Sequence, residues 1–210
     1  VFASFLYIFS SQSALFGFFA ATFLFVLTIK FKDKIQTLTK LVFVAIIFGI
    51  VFSPFLVETL YHTHPEFIEY WRSSAAAPQR VDIWHACVRE IFYSPFWGHG
   101  LYATRALYDN LMLHLPGYRW EEILHPHNFS VQIWLELGVI GVLAFIGFMV
   151  FIYNRMEKMP DDIKPYALSF LISIVSISAV GHGMWQSWWL GAILMGVAIF
   201  KCHICHVRQT

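Results

Sequence analysis

The chain has 210 residues, of which 58% are hydrophobic and 19% aromatic but only 13% charged. Soluble domains average nearer 45–50% apolar and about 25% charged, so composition excludes an ordinary soluble enzyme and points to an integral membrane protein. The formal net charge of +1 gives no reason to expect a nucleic-acid partner.

Residues 1–9 are apolar and lack a signal-peptide n-region or cleavage site, so they read as the end of an earlier membrane helix. The expectation is a C-terminal part of a larger membrane protein. "SSQS" then punctuates the chain, with a single long helix over 1–29 as the alternative, and residues 10–29 and 41–60 predict two crossings, each near the roughly 20 apolar residues a bilayer requires. Residues 129–153 predict a third crossing, and 166–200 a hairpin broken at "GHGMWQSW". Lysine occurs in three places: Lys30, Lys32, Lys34 and Lys40 in one linker, Lys158 and Lys164 in another, and Lys201 in the tail. Short basic loops stay cytoplasmic, and one crossing count puts all three clusters inside. The predicted fold is an all-α polytopic membrane helix bundle with a large helical extracytoplasmic loop. Its parts are membrane helices over 1–58, the loop over 59–127, membrane helices over 128–200 and a cytoplasmic tail over 201–210.

That loop holds no lysine, but it has five arginines (Arg72, Arg80, Arg89, Arg105, Arg119) and seven of the ten histidines. Arginine supplies a planar, permanently charged fork suited to phosphate or carboxylate. The plainer reading is a solvated loop whose arginines pair with its acids. In "PQRVDIWHACVREIFYSPFWGHG", Pro78 suits a first helical turn. Ile83, Trp84, Cys87, Val88, Ile91 and Phe92 share one helical face, while Arg80, Asp82, His85 and Arg89 take the other. The expectation is an amphipathic helix lying in the membrane interface. Ser94-Pro95 ends it, and Gly98-His99-Gly100 forms a turn.

At "HPHNFSVQIWLELGVIG", Asn128, Gln132 and Glu136 fall four apart and form a polar stripe on an apolar helix. Ionisable groups in a membrane helix point to a bundle interior or a water-filled path. Gly138, Gly141 and Ala144 predict a face that another helix approaches closely.

His-Asn, nine residues, Gly, two residues, Gly resembles the signature of bacterial O-antigen ligases, a superfamily shared with O-antigen polymerases. "RVDIW" followed by "REIFYSPFWGHG" is similar to that family's Arg-x-x-x-Trp helix and Pro-x-x-Gly-x-Gly turn. "SQSALFGF" is similar to its Ser-Arg-(Ser/Gly)-Ala helix start, with Gln12 where the family usually has the arginine that helps bind pyrophosphate.

The resemblance implies an inverting glycosyltransferase of the bacterial inner membrane with its active face in the periplasm. It would move a glycan from undecaprenyl diphosphate to a hydroxyl acceptor such as lipid A-core, with O-antigen polymerisation as the alternative within the superfamily, and without a cofactor. Arginine forks would stabilise the diphosphate leaving group. Arg80 takes the motif position, with Arg89, Arg105 and Gln12 nearby in the loop and helix start. The acceptor hydroxyl needs a base, and His127 takes that motif position. His125 and Asn128 flank it as substrate-binding candidates, and Trp84 is a candidate sugar platform. Trp71, Trp97 and Trp120 could stack in the same way or anchor the interface.

Weaker readings stand beside this one. His62-x-His64 with His125-x-His127 could offer four imidazoles to a metal, but no cysteine pair joins them, and no metal is expected. Cys202-x-x-Cys205-His206 has the haem-attachment form, but the charge pattern puts it on the cytoplasmic side. From another class, a transporter component would line its path with Gln132, Glu136 and His182, and a noncatalytic fragment is a further alternative. With Cys87 outside and the other two cysteines inside, no intrachain disulfide is expected.

Overall fold

The computed structural model describes residues 12–66, 80–107, 109–111 and 124–207, with side chains as far as 202. The readings made for residues 1–9, Pro78, Trp71, Arg72, Arg119 and Trp120 lie outside the described residues, as do the side chains of Cys205 and His206. Among the described residues every regular element is helical and there is no strand. The helices are α1 (Gln12–Lys30), α2 (Ile35–Thr63), α3 (Arg80–Tyr93), α4 (Ala103–Ala106), α5 (Phe129–Glu157), α6 (Lys164–Val180) and α7 (Ser187–Val207), with a 3-10 turn, Lys32–Lys34, before α2.

Among the described residues, three segments are long and apolar enough to cross a membrane: Gln12–Lys30, Lys32–Thr63 and Phe129–Glu157. Their outward residues are those hydrocarbon solvates, including Phe16, Phe19 and Phe23 on α1, Phe48 and Phe52 on α2, and Leu143 and Phe151 on α5. α1 packs along α6, where Gly17 leaves no room for a Cβ against Ile177. α2 packs along α5, and α3 lies across both.

Two backbone defects in the long helices are repaired from outside. Pro54 sits inside α2, has no N–H, and so frees the Ile50 carbonyl. The indole of Trp134 on α5 donates to that carbonyl at 2.8 Å, and Ser53 Oγ adds a bond at 3.2 Å. α5 itself breaks at Gly138, whose φ of 58° and ψ of −154° are not helical. The turn after α3 fills the break. Val139 N donates to Pro95 O (2.8 Å), His99 N to Leu135 O (2.8 Å) and Gly100 N to Glu136 O (2.9 Å). A Cβ on Gly98 would lie 2.4 Å from the Glu136 carbonyl carbon, and one on Gly138 would lie 2.5 Å from Phe96 O. The small face expected to admit a helix at Gly138 therefore admits a loop, backbone against backbone.

α3 also departs from the interface helix expected. Val81, Asp82, Ile83, His85, Ala86, Cys87, Val88, Glu90 and Ile91 are all buried, because α2 and α5 cover it on both sides. Its aromatic exposure is confined to the end, at Phe92 and Tyr93, and continues into Phe96 and Trp97.

Candidate active site

The polar residues of the chain converge on a segment that composition presents only as the bend of a hairpin, the turn from Val180 to Gln186. The end of α6 leaves carbonyls with no helical partner, and this negative end of the helix dipole favours cations and N–H donors. Arg80 Nη1 donates to Val180 O. His127 Nδ1 donates to Gly181 O at 2.9 Å. Ser13, on the first turn of α1, is buried against Gly181, where a Cβ would lie 2.8 Å from that of Ser13. A Cβ on Gly183 would meet the His125 ring at 2.8 Å. Glycine is required at both places by close approach.

The local folding that presents His127 begins with Asn128. It is the N-cap of α5, in extended conformation, and its side-chain oxygen accepts from Ser130 N (3.0 Å), Val131 N (3.2 Å) and Ser130 Oγ (2.7 Å). His127 precedes the cap with φ of 57°, a left-handed conformation uncommon outside glycine. The segment before it is held by Trp84 Nε1 donating to Pro126 O (2.7 Å) and by Thr104 Oγ1 donating to Leu124 O (2.9 Å).

Because a carbonyl can only accept, the Gly181 bond puts the ring hydrogen of His127 on Nδ1 and leaves the lone pair on Nε2. Burial lowers the pKa of His127 below its usual 6.5, the Gly181 bond opposes this, and the charge of Arg80 adds to it. His125 is pulled down to about 4, first by burial and then by His127, His182, Arg80 and Arg105. Its Nδ1 accepts from His127 N at 3.2 Å, so the ring hydrogen is on Nε2, 3.0 Å from the Gln186 amide. The amide oxygen is the group that can accept there, and this orientation gives Gln186 Oε1 a partner. His182 is likewise lowered by burial, then by His127 and Arg80, and its ring contacts Trp188 and Trp189.

The polar stripe beneath is fully engaged. Glu136 Oε1 accepts from Tyr102 N (3.1 Å) and Gln132 Nε2 (3.0 Å), while Oε2 accepts from the Trp185 indole. Gln132 Oε1 accepts from Met184 N at 2.8 Å. Gln132 and Glu136 thus fasten the 181–186 turn and the loop after α3 to α5.

The candidates from sequence separate into groups. Arg80, His125 and His127 meet around the turn, and the Asn128 side chain next to them caps α5. Gln12 opens α1 beside Ser13, with its side chain exposed. Trp84 braces Pro126, and Arg105 stacks over the Tyr102 ring while its charge reaches His125. Arg89 is nine residues beyond Arg80, half a helical turn off its face, and exposed, so the structure does not bring it to the cluster. The four-imidazole grouping does not form. His62 lies with Glu58 and His85, and His64 with Glu66, while His125 and His127 face each other. Sequence reading placed a break at this turn but missed its part in the site, although two glycines bracketing a histidine in an apolar tract are a usable signal. An apolar cleft of about 560 Å³ runs between α1, α2 and α6, from Phe23 and Ala45 past Ile50 and Val175 to Trp84 and Asn128.

A family model described as O-antigen ligase matches residues 1–146. A Rickettsia conorii protein named "Putative polysaccharide ligase RC0486" is 26% identical over 197 residues, 91% of this chain and 46% of its own. Like-named proteins of Rickettsia typhi and Rickettsia prowazekii are 29% and 28% identical over 76% of this chain and 40% of theirs. The chain thus spans less than half the length of the curated relatives it matches. No solved structure matches it. The matched segment contains Ser13, Arg80, His127 and Gly138, which the fold gathers at two backbone junctions, and on that match the chain belongs to the O-antigen ligase family.

Proposed function

We propose that the site transfers a glycan from a polyprenyl diphosphate, undecaprenyl diphosphate in bacteria, to a hydroxyl acceptor such as lipid A-core. It would act at the periplasmic face of the inner membrane. The observation that carries this reading is the pair of bonds to adjacent carbonyls: His127 Nδ1 on Gly181 and Arg80 on Val180. They place an imidazole with a free Nε2 lone pair beside a guanidinium at one end of the bundle.

The chemistry then follows. The acceptor O–H gives its proton to His127 Nε2 as its oxygen bonds to the anomeric carbon. The bond from that carbon to the diphosphate oxygen breaks on the opposite face, inverting the centre. The electron pair leaves with the diphosphate, whose growing charge Arg80 stabilises with the donors not spent on Val180. The depressed pKa of His127 keeps it in the base form at neutral pH. The apolar cleft ending at Trp84 and Asn128 suits the prenyl chain of the donor.

The test is glycan transfer by the full-length protein in a strain lacking its own ligase, read on a lipopolysaccharide gel. His127→Ala is expected to lower transfer about 10²–10⁴-fold, the usual contribution of a general base. Arg80→Lys, which keeps charge but loses the fork, is also expected to fail. Normal transfer by either variant overturns the assignment.

A further inference from the structure

Away from the 180–186 turn, three metal-ligating side chains from two helices converge. We propose that Glu58, His62 and His85 form a binding site for a divalent transition-metal ion, zinc in particular, that fastens the end of α2 to α3. Glu58 and His62 are four apart and share a face on the last turns of α2, while His85 comes from α3. One ligand atom from each lies within 4.8 Å of the other two. His62 Nε2 is 3.1 Å from Glu58 Oε1, and His85 Nε2 is 3.4 Å from Glu58 Oε2. Zinc bonds of about 2.0–2.1 Å on tetrahedral angles put neighbouring ligand atoms roughly 3.3–3.4 Å apart, so the three ligand atoms, all within 4.8 Å of one another, need only side-chain adjustment to close on an ion.

Two further features fit a cation. Glu58 Oε2 is shielded from solvent and has no hydrogen bond among the described residues, although it lies against His85. The His85 ring is stacked on Tyr61 with centroids 3.7 Å apart and planes 5° apart, and Tyr61 OH donates to Asp82 Oδ1 at 3.3 Å. Outer contacts of this kind hold an imidazole ligand in one plane. His85 is buried and His62 exposed, so three protein ligands leave a fourth position open to water. The donor set of two imidazoles and one carboxylate suits zinc and disfavours magnesium or calcium, which prefer all-oxygen shells. Arg80 and Trp84 stand on the same helix, about 140° and 100° around from His85, so a bound ion would stiffen the helix that presents them.

The experiment uses the full chain, purified in detergent, with Cys202 and Cys205 replaced by serine so that the tail thiols do not compete. Zinc chloride is titrated against a chromophoric chelator, and absorption-edge spectroscopy reads the ligand shell. One zinc per chain is expected, with a nitrogen and oxygen shell. Affinity is expected to fall at least tenfold in His62→Ala and in Glu58→Gln, two partly exposed positions where folding is retained and helical circular dichroism checks it. His64→Ala, which pairs with Glu66 outside the cluster, is expected to bind as the parent does. Absence of stoichiometric zinc overturns the proposal, as does parental affinity in both variants or loss of binding in His127→Ala instead. The outcome is independent of glycan transfer, in which none of the three residues is placed.

Discussion

His127 and His125 are adjacent imidazoles with different duties, and their hydrogen bonds separate them. His127 donates through Nδ1 and keeps Nε2 free, while His125 accepts at Nδ1 and so must stay neutral. Both pKa values lie below the ordinary 6.5. Transfer should therefore be insensitive to pH above about 6.5 and fall as pH drops through the lower pKa of His127. The fold should respond as well. Between pH 6.5 and about 4 the unfolded chain takes up a proton that folded His125 refuses, so stability declines as the solution is acidified. The thermal midpoint of the purified chain is expected to drop between pH 7 and pH 5, and to drop less in His125→Gln. An equal drop in both assigns the effect elsewhere. At this scale the sequence was informative where side chains act: His127, Arg80 and Asn128 stand at motif positions that can be read directly. It was silent on Val180 and Gly181, which contribute only carbonyl oxygens.

Helices were legible because apolar runs of sufficient length are unambiguous, and the start of α5 because Asn128 has the side chain of an N-cap. The break at Gly138 was not, since the run 129–153 stays apolar through it and glycine is common on packed helix faces. The nine residues 129–137 between cap and break explain the motif spacing as the length of a half-helix, about 13.5 Å at 1.5 Å per residue. Two outcomes follow. Gly138→Ala or Gly98→Ala should destabilise the chain by more than the ~1–3 kcal/mol of left-handed strain alone, because the new Cβ meets backbone that cannot move aside. Insertion of one alanine after Ile133 should be worse still, turning Glu136 by about 100° away from Trp185 and Tyr102. Unfolding followed by circular dichroism checks both, and midpoints within a degree of the parent would contradict them.

For the whole molecule, the crossing pattern came from the lysine clusters, and the three candidate spans among the described residues, two near the N-terminus and one in the second half, coincide with the apolar segments 10–29, 41–60 and 129–153. The role of α3 could not be read in the same way. Its one-sided periodicity is that of an interface helix, but the fold covers both sides and buries Asp82, His85 and Glu90. Sidedness is testable with an impermeant maleimide. Cys202 is exposed and should label only once the membrane is opened, while Cys87 is fully buried, with its thiol pKa raised by burial and by Glu90, and should label only on unfolding. Labelling of Cys202 in intact cells would reverse the topology. The turn at 180–181 carries a last consequence. Its contribution to His127 and Arg80 is main-chain carbonyl, which any amino acid provides, so the side chain at 180 can drift without disturbing either bond. A working part of the site can thus lie beyond residue 146, where the family model ends, and be inherited as backbone shape while its spelling changes.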